Sequence, residues 1–269
     1  MITNTFVTNI FNDRKDAGQF LAARLTKYRN RDDVVVLALP RGGVPVAYEV
    51  ARALNAPLDV FLVRKLGVPG FEEYAMGAIA SGGIRVLNDA LVSQLDIPLE
   101  VIDEVTAREF TELERRERVY RGARTPVDVT GKTVIIIDDG MATGSTVRAA
   151  VTALRKKNPG KIVIAVPVGA REVCNSFKHE GDTVVICAMM PEPFNAVDIF
   201  YRNFAQTTDA EVQQLLRQTA RSNETKTTMQ TNQIPNSDGP PFLDRFTREH
   251  EGWLPIESSQ ADAKISRRL

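Results

Sequence analysis

Runs of aliphatic residues without alternating polar positions recur along this 269-residue chain. Such a run is typical of a parallel strand that helices cover on both faces. Segments of helical periodicity separate the runs, and this alternation predicts an α/β fold with a doubly wound, mostly parallel sheet. The runs are VVVLAL (34–39), LDVFLV (58–63), TVIIID (133–138), KIVIAVPV (161–168) and TVVICAMM (183–190).

Amphipathic helices are predicted between and around these strands. Residues 13–29 repeat apolar positions at three- and four-residue spacing, with Asn12 or Asp13 available to cap the start. Residues 99–121 predict a highly charged helix whose Glu and Arg residues at i,i+4 spacing give it a solvated face. The last recognisable helix spans residues 209–221. The two expected i,i+4 ion pairs are Glu104 with Arg108 and Glu117 with Arg121.

Composition excludes several classes of function. The 34 basic residues balance 34 acidic ones, so no global field favours a nucleic acid, and any phosphate contact must be local. Cys174 and Cys187 are too few for a disulfide framework and lack zinc spacing, so we expect two small apolar side chains. The sequence shows neither a signal-peptide pattern nor an apolar run long enough for a membrane span. We therefore expect a cytoplasmic protein without nucleic-acid or membrane partners.

Three predicted strands end in glycine-containing loops: PRGG (40–43), RKLG (64–67) and DGMATGST (139–146). The carboxyl ends of parallel strands meet at one edge of the sheet, where doubly wound proteins bind ligands. Glycine allows a close approach of the backbone, and the amides at a helix start attract anions. Residues 142–146 could therefore hold a phosphate through backbone amides and three hydroxyls.

Two carboxylates, Asp138 and Asp139, stand directly before this phosphate loop. The stretch is neither a Walker A loop nor a GxGxxG fingerprint, because its glycine spacing differs and no lysine precedes Ser145. Carboxylates accept hydrogen bonds from sugar hydroxyls, so a vicinal diol beside a phosphate, as in ribose 5-phosphate, suits both halves of the stretch. The alternative interpretation is a strand-end cap that faces solvent.

The stretch VIIIDDGMATGST (134–146) resembles the motif with which type I phosphoribosyltransferases bind 5-phosphoribosyl 1-diphosphate (PRPP). PRGG resembles the diphosphate loop of that family, and the resemblance covers about residues 10–215. It implies that Asp138 and Asp139 hold the ribose 2- and 3-hydroxyls as the catalytic acids. The other residues expected to bind substrate are Arg41, Gly42, Gly43, Arg64, Lys65, Gly140, Met141, Ala142, Thr143, Gly144, Ser145 and Thr146, with a surface charge as the alternative for Arg64 and Lys65.

The resemblance implies transfer of a 5-phosphoribosyl group from PRPP to a nitrogen acceptor, normally a nucleobase, with release of diphosphate. It also implies Mg2+ held mainly by substrate oxygens, and we assign no protein ligand to the metal directly. Residues 66–83 would form a mobile lid with glycines as hinges, and a structured β-hairpin is the alternative.

The resemblance also predicts a small hood that holds the acceptor, built from about residues 1–30 and 190–215. Phe194, Phe200, Tyr201 or Phe204 could stack on an acceptor ring or form the hood core. We place the phosphoribosyltransferase-like domain at residues 1–221 and expect a disordered tail at 222–269, because that segment is polar and unpatterned. A homodimer is compatible with these features.

Two other classes of function stand beside the transferase. A PRPP- or nucleotide-binding regulator without turnover would share the same loops, but the neutral net charge and the lack of an added helix-turn-helix disfavour it. A hydrolase is disfavoured because the chain contains neither GxSxG nor HExxH, and His179 and His250 are its two histidines.

Overall fold

A parallel sheet forms the centre of the computed structural model, which describes residues 11–179, 181 and 183–230. In chain order the strands are β1 (Val34–Ala38), β2 (Leu58–Val60), β3 (Val63–Val68), β4 (Phe71–Ala80), β5 (Ile84–Leu87), β6 (Thr133–Ile137), β7 (Lys161–Val168) and β8 (Thr183–Met189). The parallel sheet has the order β2-β1-β6-β7-β8, and β3-β4-β5 form an antiparallel sheet. The predicted α/β class and the predominantly parallel sheet are confirmed.

Helices cover both faces of the parallel sheet. In chain order the helices of the described residues are α1 (Arg14–Ala22), α2 (Gly43–Leu54), α3 (Asp89–Gln94), α4 (Leu99–Arg121), α5 (Ser145–Arg155), α6 (Arg171–Ser176) and α7 (Asp209–Gln230), of which α3 and α4 contact the antiparallel sheet. All residues of β1 and β6 are buried, as the unbroken apolar runs predict. Alternate residues of these strands, such as Val35 and Ile136, join α5 in one core cluster, while α1 and α2 pack on the opposite face.

The first helix is shorter than its periodicity predicts. The Asp13 side chain caps α1 by accepting a 2.8 Å hydrogen bond from the Asp16 amide, so Asp13 rather than Asn12 is the cap. The α-helix ends at Ala22, and a 3-10 turn at Thr26–Tyr28 follows. The apolar pattern still faces the core through this change, because a tighter turn keeps Leu25 and Tyr28 buried.

The second predicted strand is divided between the two sheets. β2 ends at Val60, and the Phe61 amide still bonds to the Ala38 carbonyl of β1. Leu62 then bonds through its amide and its carbonyl to Ser81, so the chain leaves the parallel sheet and enters β3. The prediction of one strand over 58–63 followed by a loop was therefore wrong. Neighbouring apolar residues fit either sheet, and only the hydrogen-bonding partner distinguishes them.

The predicted lid at 66–83 is a β-hairpin, the alternative stated above. β3 and β4 pair in an antiparallel register on either side of a turn at Gly70, which has a φ of +78°. Gly67 and Gly77 lie inside the paired strands and not at hinges. Main-chain ladder hydrogen bonds thus hold most of this segment.

The charged helix α4 has the bounds that its sequence predicts, but its last residue is buried. Both oxygens of Asp59 in β2 accept hydrogen bonds from Arg121 Nε, at 2.9 and 3.0 Å, and the two side chains are each 7% exposed. The expected Glu117–Arg121 pair is present at 2.8 Å. Arg108 lies 3.4 Å from Glu109. The C-terminal end of α4 is therefore locked to the edge of the parallel sheet.

The two predicted hood segments come together beside the sheet. The Phe11 amide donates to the Phe200 carbonyl and the Arg202 amide donates to the Phe11 carbonyl, so residue 11 pairs with Tyr201 in a parallel bridge. Residues 1–10 of the predicted hood lie outside the described residues. Helix α7 continues past residue 221 to Gln230, so the predicted domain boundary falls inside this helix, and residues 231–269 of the predicted tail lie outside the described residues.

Cys174 in α6 is buried and Cys187 in β8 is half-buried, and both are free thiols. A Cβ added to Gly169 would lie 2.7 Å from Cys174 Sγ and 3.1 Å from Cys187 Sγ. Both sulfurs therefore pack against the glycine backbone, in keeping with the predicted role as small apolar side chains.

Candidate active site

The acid pair follows β6 at the carboxyl edge of the parallel sheet, beside the end of β1. A Cβ added to Gly42 would lie 2.0 Å from Asp139 Oδ2, and one added to Gly43 would lie 2.6 Å from the Ile137 carbonyl oxygen. Both distances are too short for a side chain, so the backbone after β1 can make this contact only with glycine. The PRGG loop and the acid pair, which the sequence placed on two strands, are in direct contact.

The two carboxylates have different surroundings. The Asp139 amide donates to Asp138 Oδ1 at 2.9 Å. Burial, reinforced by the neighbouring Asp139 charge, raises the pKa of Asp138 well above its usual range. Asp139 instead accepts a hydrogen bond from Arg14 Nε at 2.8 Å through Oδ2. The repulsion expected between adjacent acids is thus reduced by a cation on one of them.

Arg14 is a site residue that the sequence analysis did not identify. It is the first residue of α1, it is 125 positions from Asp139, and an arginine at a helix start carries no distinguishing pattern. Its Nη1 also donates to the Ala205 carbonyl at 2.7 Å, and its guanidinium lies 3.9 Å from the centre of the Phe204 ring. Only the folded hood brings these three partners together.

The predicted phosphate loop connects Asp139 to the N-terminus of α5. Gly144 caps α5 with a φ of +71°, and a Cβ there would lie 2.7 Å from Val173 Cγ1. Thr143 Oγ1 and Ser145 Oγ lie 3.1 Å apart and are exposed, as are the side chains of Ala142 and Thr146. A helix start with exposed hydroxyls and a glycine cap has the geometry of an anion site.

Met141 differs from the other residues of this loop. Its side chain is 1% exposed and belongs to the core cluster beneath α5. Its amide donates to the Val168 carbonyl and its carbonyl accepts from the Ala170 amide, both at 2.9 Å. The side chain of Met141 therefore belongs to the core, and its predicted contact with substrate stays a prediction. A bridge to the end of β7 already uses its backbone groups, and this bridge anchors the loop.

Gly140 lies between the acid pair and the phosphate loop. A Cβ added there would lie 2.4 Å from Val197 Cγ1, so the backbone passes closely beneath the segment that follows β8. Tyr201 from the same region donates its hydroxyl proton to the Asp139 carbonyl at 2.5 Å. Burial, aided by the Asp139 charge, raises the pKa of Tyr201, so it stays a neutral donor. The hood thereby fixes the backbone of the acid pair.

Arg41 in the PRGG loop is partly exposed and faces the start of α7. Its Nη1 lies 3.8 Å from Asp209 Oδ1, which also accepts a 2.7 Å hydrogen bond from the Tyr120 hydroxyl. Burial and the Asp209 hydrogen bond raise the pKa of Tyr120 to about 12. Because the ion pair is long and open to water, it holds Arg41 weakly and leaves the guanidinium able to meet an anion.

Arg64 and Lys65 do not lie in a loop beside the acid pair, as the sequence analysis expected. Both belong to β3 in the antiparallel sheet, since the second predicted strand divides after Val60. Arg64 Nη2 lies 2.5 Å from Glu109 Oε2, an ion pair that joins β3 to α4, and Lys65 is exposed. This ion pair with Glu109 favours the alternative stated for Arg64, a charge on the protein surface.

The predicted stacking aromatics divide into packed and half-buried rings. Phe200 and Tyr201 are 3% and 6% exposed and form hood core. Phe194 and Phe204 are half-buried, with Phe194 stacked on Phe200 at 5.5 Å between centroids and Phe204 covered on one face by Arg14. The core alternative is thus confirmed for Phe200 and Tyr201.

The comparisons with known proteins agree with this geometry. Residues 69–199 match the family model described as phosphoribosyl transferase domain. The Mycobacterium tuberculosis (strain H37Rv) protein Rv0571c, a phosphoribosyl transferase by name, is 42% identical over 247 residues, covering 92% of this chain and 54% of that protein. The bifunctional protein PyrR of Chloroflexus aurantiacus is 36% identical over 138 residues, covering 49% of this chain and 70% of that protein. The chain belongs to the phosphoribosyl transferase family.

A solved structure supports the same fold for this phosphoribosyl transferase domain. The crystal structure of TT1426 from Thermus thermophilus is 37% identical with a TM-score of 0.69, and the match covers 78% of this chain and 98% of that one. The chain spans about half the length of the Mycobacterium relative. The family match includes Asp138, Asp139 and the phosphate loop but begins after the PRGG loop. The contact between Gly42 and Asp139 connects the PRGG loop to a residue inside the matched region.

Two further observations concern the described residues of this phosphoribosyl transferase domain. In that part of the chain, no three His, Cys, Asp or Glu side chains come together as a metal-binding group. No helix among the described residues is long and apolar enough to cross a membrane.

Proposed function

We propose that this protein transfers the 5-phosphoribosyl group of PRPP to a nitrogen acceptor and releases diphosphate. The observation that carries the proposal is the contact between Gly42 and Asp139, directly ahead of the glycine-capped start of α5. That contact puts a glycine loop, two carboxylates and a phosphate-type helix start side by side. PRPP offers a diphosphate, a vicinal diol and a monophosphate in the same order.

In the proposed complex the acid pair accepts hydrogen bonds from the ribose hydroxyls. The 5-phosphate lies at the start of α5, where Thr143, Ser145 and Thr146 offer hydroxyls in addition to the helix amides. These contacts fix the ribose so that its C1 carbon faces the acceptor. The role of Asp138 and Asp139 is therefore to orient the ribose, and neither side chain attacks the sugar.

The leaving group gains negative charge as the bond from C1 to the diphosphate oxygen breaks. Fixed donors that point at this oxygen lower the barrier, because they need no reorganisation during the reaction. In this proposal the donors are the amide of Gly42, which caps the start of α2, and the guanidinium of Arg41, while the Gly43 amide already donates to the Leu39 carbonyl at 3.1 Å. The weak 3.8 Å pair with Asp209 leaves Arg41 available for this contact.

The residues present fit Mg2+ as a cofactor that substrate oxygens hold in large part. The site contributes the carboxylates of Asp138 and Asp139, and the described residues contain no larger group of metal ligands. Mg2+ is commonly bound by one or two carboxylates together with phosphates and water, so this small donor set suits it. When bound, the ion neutralises charge on the diphosphate.

We propose a nucleobase as the acceptor, held beneath the hood formed by residues 11–14 and 191–205. Phe194 is the half-buried ring whose stacking on Phe200 offers an apolar wall. Phe204 is less suited, since both the Arg14 guanidinium, at 3.9 Å from the ring centre, and the Tyr201 ring, at 4.9 Å between centroids, already pack against it. A hood over C1 also excludes water, which would otherwise hydrolyse PRPP.

The proposal is tested by binding. Mg-PRPP should raise the melting temperature of the protein, and Asp138→Asn with Asp139→Asn should abolish that shift. The matched control is Asp32→Asn with Asp33→Asn, a second adjacent acid pair that stands before β1 at the opposite edge of the sheet. The control variant should keep the shift. An unshifted melting temperature in the parent protein would contradict the proposal.

Turnover is tested separately, by diphosphate release from Mg-PRPP across a panel of purine, pyrimidine and other nitrogen acceptors. Release that depends on one acceptor supports the transferase. Binding of PRPP without release for every acceptor would instead favour the regulatory alternative, a PRPP sensor without turnover.

A further inference from the structure

Arg14 contacts two separate parts of the site, the acid pair and the segment of Phe204 and Ala205, and its side chain is only 11% exposed. Nε donates to Asp139 Oδ2 at 2.8 Å, Nη1 donates to the Ala205 carbonyl at 2.7 Å, and the guanidinium stacks on Phe204 at 3.9 Å. A guanidinium held by two directed hydrogen bonds and a ring has little freedom to rotate. Arg14 is therefore a fixed part of the hood and not a surface cation.

The same contacts determine how Asp139 is oriented. Oδ2 lies against the PRGG backbone, since a Cβ on Gly42 would be 2.0 Å from it and 3.3 Å from Arg14 Nε. Arg14 and Gly42 thus enclose one carboxylate oxygen from two sides. The oxygen left to meet a ligand is Oδ1, and the direction it faces depends on the hold on Oδ2.

We propose that Arg14 is a positioning residue for recognition of the ribose diol: by fixing Asp139 Oδ2 between α1 and the PRGG loop, it aims Asp139 Oδ1 at a ribose hydroxyl. This inference rests on the proposed function, because it needs a sugar phosphate in the site. Arg14 itself does not touch the substrate. Its effect passes through one carboxylate, so it concerns the diol and not the phosphate.

An effect on binding of the diol but not of the phosphate would distinguish a positioning role of Arg14 from a merely structural one. The 5-phosphate binds at the start of α5, which is fixed by Gly144 packing on Val173 and by the Met141 bridge to β7. Arg14 makes none of those contacts. Loss of Arg14 should therefore weaken ribose 5-phosphate far more than an analogue that has the same phosphate but lacks both hydroxyls.

The experiment compares the dissociation constants of ribose 5-phosphate and 2,3-dideoxyribose 5-phosphate, measured by calorimetry on the full chain. The parent protein should prefer the diol. In Arg14→Ala this preference should fall by about tenfold or more, since a charge-assisted hydrogen bond sets the geometry of Asp139. Arg14→Lys keeps the charge but lacks the planar fork, so its preference should lie between the two.

The matched control is Arg24→Ala. Arg24 follows α1, stacks on the Phe20 ring at 3.7 Å and donates to the Phe20 carbonyl at 3.1 Å, so it reproduces the packing of Arg14 away from the acid pair. Its removal should leave the preference for the diol unchanged.

An Arg14→Ala protein that loses affinity equally for both ligands, or that keeps its preference for the diol, would overturn the inference. If Arg14→Ala does not fold, the unchanged preference of Arg14→Lys would overturn it equally. If the parent protein binds neither ligand nor Mg-PRPP, the proposed function fails instead, and that outcome is distinct from a failure of Arg14 alone.

Discussion

Gly42→Ala is the substitution for which the structure makes the sharpest prediction. Gly42 has a φ of −58° and a ψ of −34°, which alanine adopts without strain, so any effect must come from the added methyl group. That methyl would lie 2.0 Å from Asp139 Oδ2, whereas ordinary contact begins at 3.4 Å. The carboxylate oxygen must therefore move by about 1.4 Å directly away from the methyl, and this movement stretches its 2.8 Å bond to Arg14 Nε to about 3.2 Å, the long end of the hydrogen-bonding range.

The cost of this movement can be approximated from the packing that it disturbs and from the hydrogen bond that it weakens. Forcing a methyl into a packed site costs about 1–3 kcal/mol, and a charge-assisted hydrogen bond contributes about 1.5–3 kcal/mol. Asp139 and Arg14 are 16% and 11% exposed, so solvent screens their pair little. We expect the free energy of unfolding to fall by about 2–3 kcal/mol and the affinity for Mg-PRPP to fall at least about tenfold.

Urea unfolding and calorimetric titration with Mg-PRPP measure the two quantities. Gly181→Ala is the control, because a Cβ at that position meets nothing within 4 Å. It should leave the stability and the affinity close to those of the parent protein. A Gly42→Ala protein with the stability and the affinity of the parent would refute the contact between the PRGG loop and the acid pair.

Two further predictions concern parts of the fold outside the acid pair. Arg121→Met removes the partner of the buried Asp59 and should lower the free energy of unfolding in urea by about 3–5 kcal/mol. The control Arg115→Met removes an ion pair of a 55% exposed side chain on the same helix and should cost at most about 1 kcal/mol. Equal losses in the two variants would contradict a stabilising role of the buried Arg121–Asp59 pair. Burial and the Asp209 hydrogen bond raise the pKa of Tyr120 from 10.0 in a free tyrosine to about 12 in the folded protein. Its contribution to stability is therefore complete below pH 10.0 and is lost as the pH rises to about 12. Tyr120→Phe should therefore flatten the fall of unfolding free energy over that alkaline range, and an unchanged slope would refute the assignment.

Much of the fold follows from local sequence pattern. The apolar runs of β1, β6 and β7 lack polar alternation and are buried on both faces, whereas the similar run of β8 is half-buried because that strand lies at the end of the sheet. Helix α4 likewise has its predicted bounds, because Pro98 and Gly122 flank a continuous helical pattern. The acid pair and the phosphate loop are contiguous in sequence, so their proximity needs no tertiary information.

The sequence pattern did not predict the positions of residues that depend on a partner distant in the chain. The run 58–63 is apolar in both sheets, and only the bonds of Leu62 to Ser81 move Arg64 and Lys65 into β3. Met141 stands in a loop of small polar residues, but its amide and carbonyl complete a bridge to β7 that no local spacing indicates. The sequence pattern places Arg121 on a solvated helix face, but its ion pair with the buried Asp59 places it in the interior.

By itself, the sequence determined the class of sheet and the position of the acid pair directly before the glycine-capped start of α5, because both depend on residues adjacent in the chain. The tertiary structure alone decided what surrounds the acid pair. Gly42 presses on Asp139 from the end of β1, and Arg14 holds it from α1 across 125 positions. Contacts between residues that far apart depend on packing of the whole domain, and packing leaves no periodic trace in the sequence.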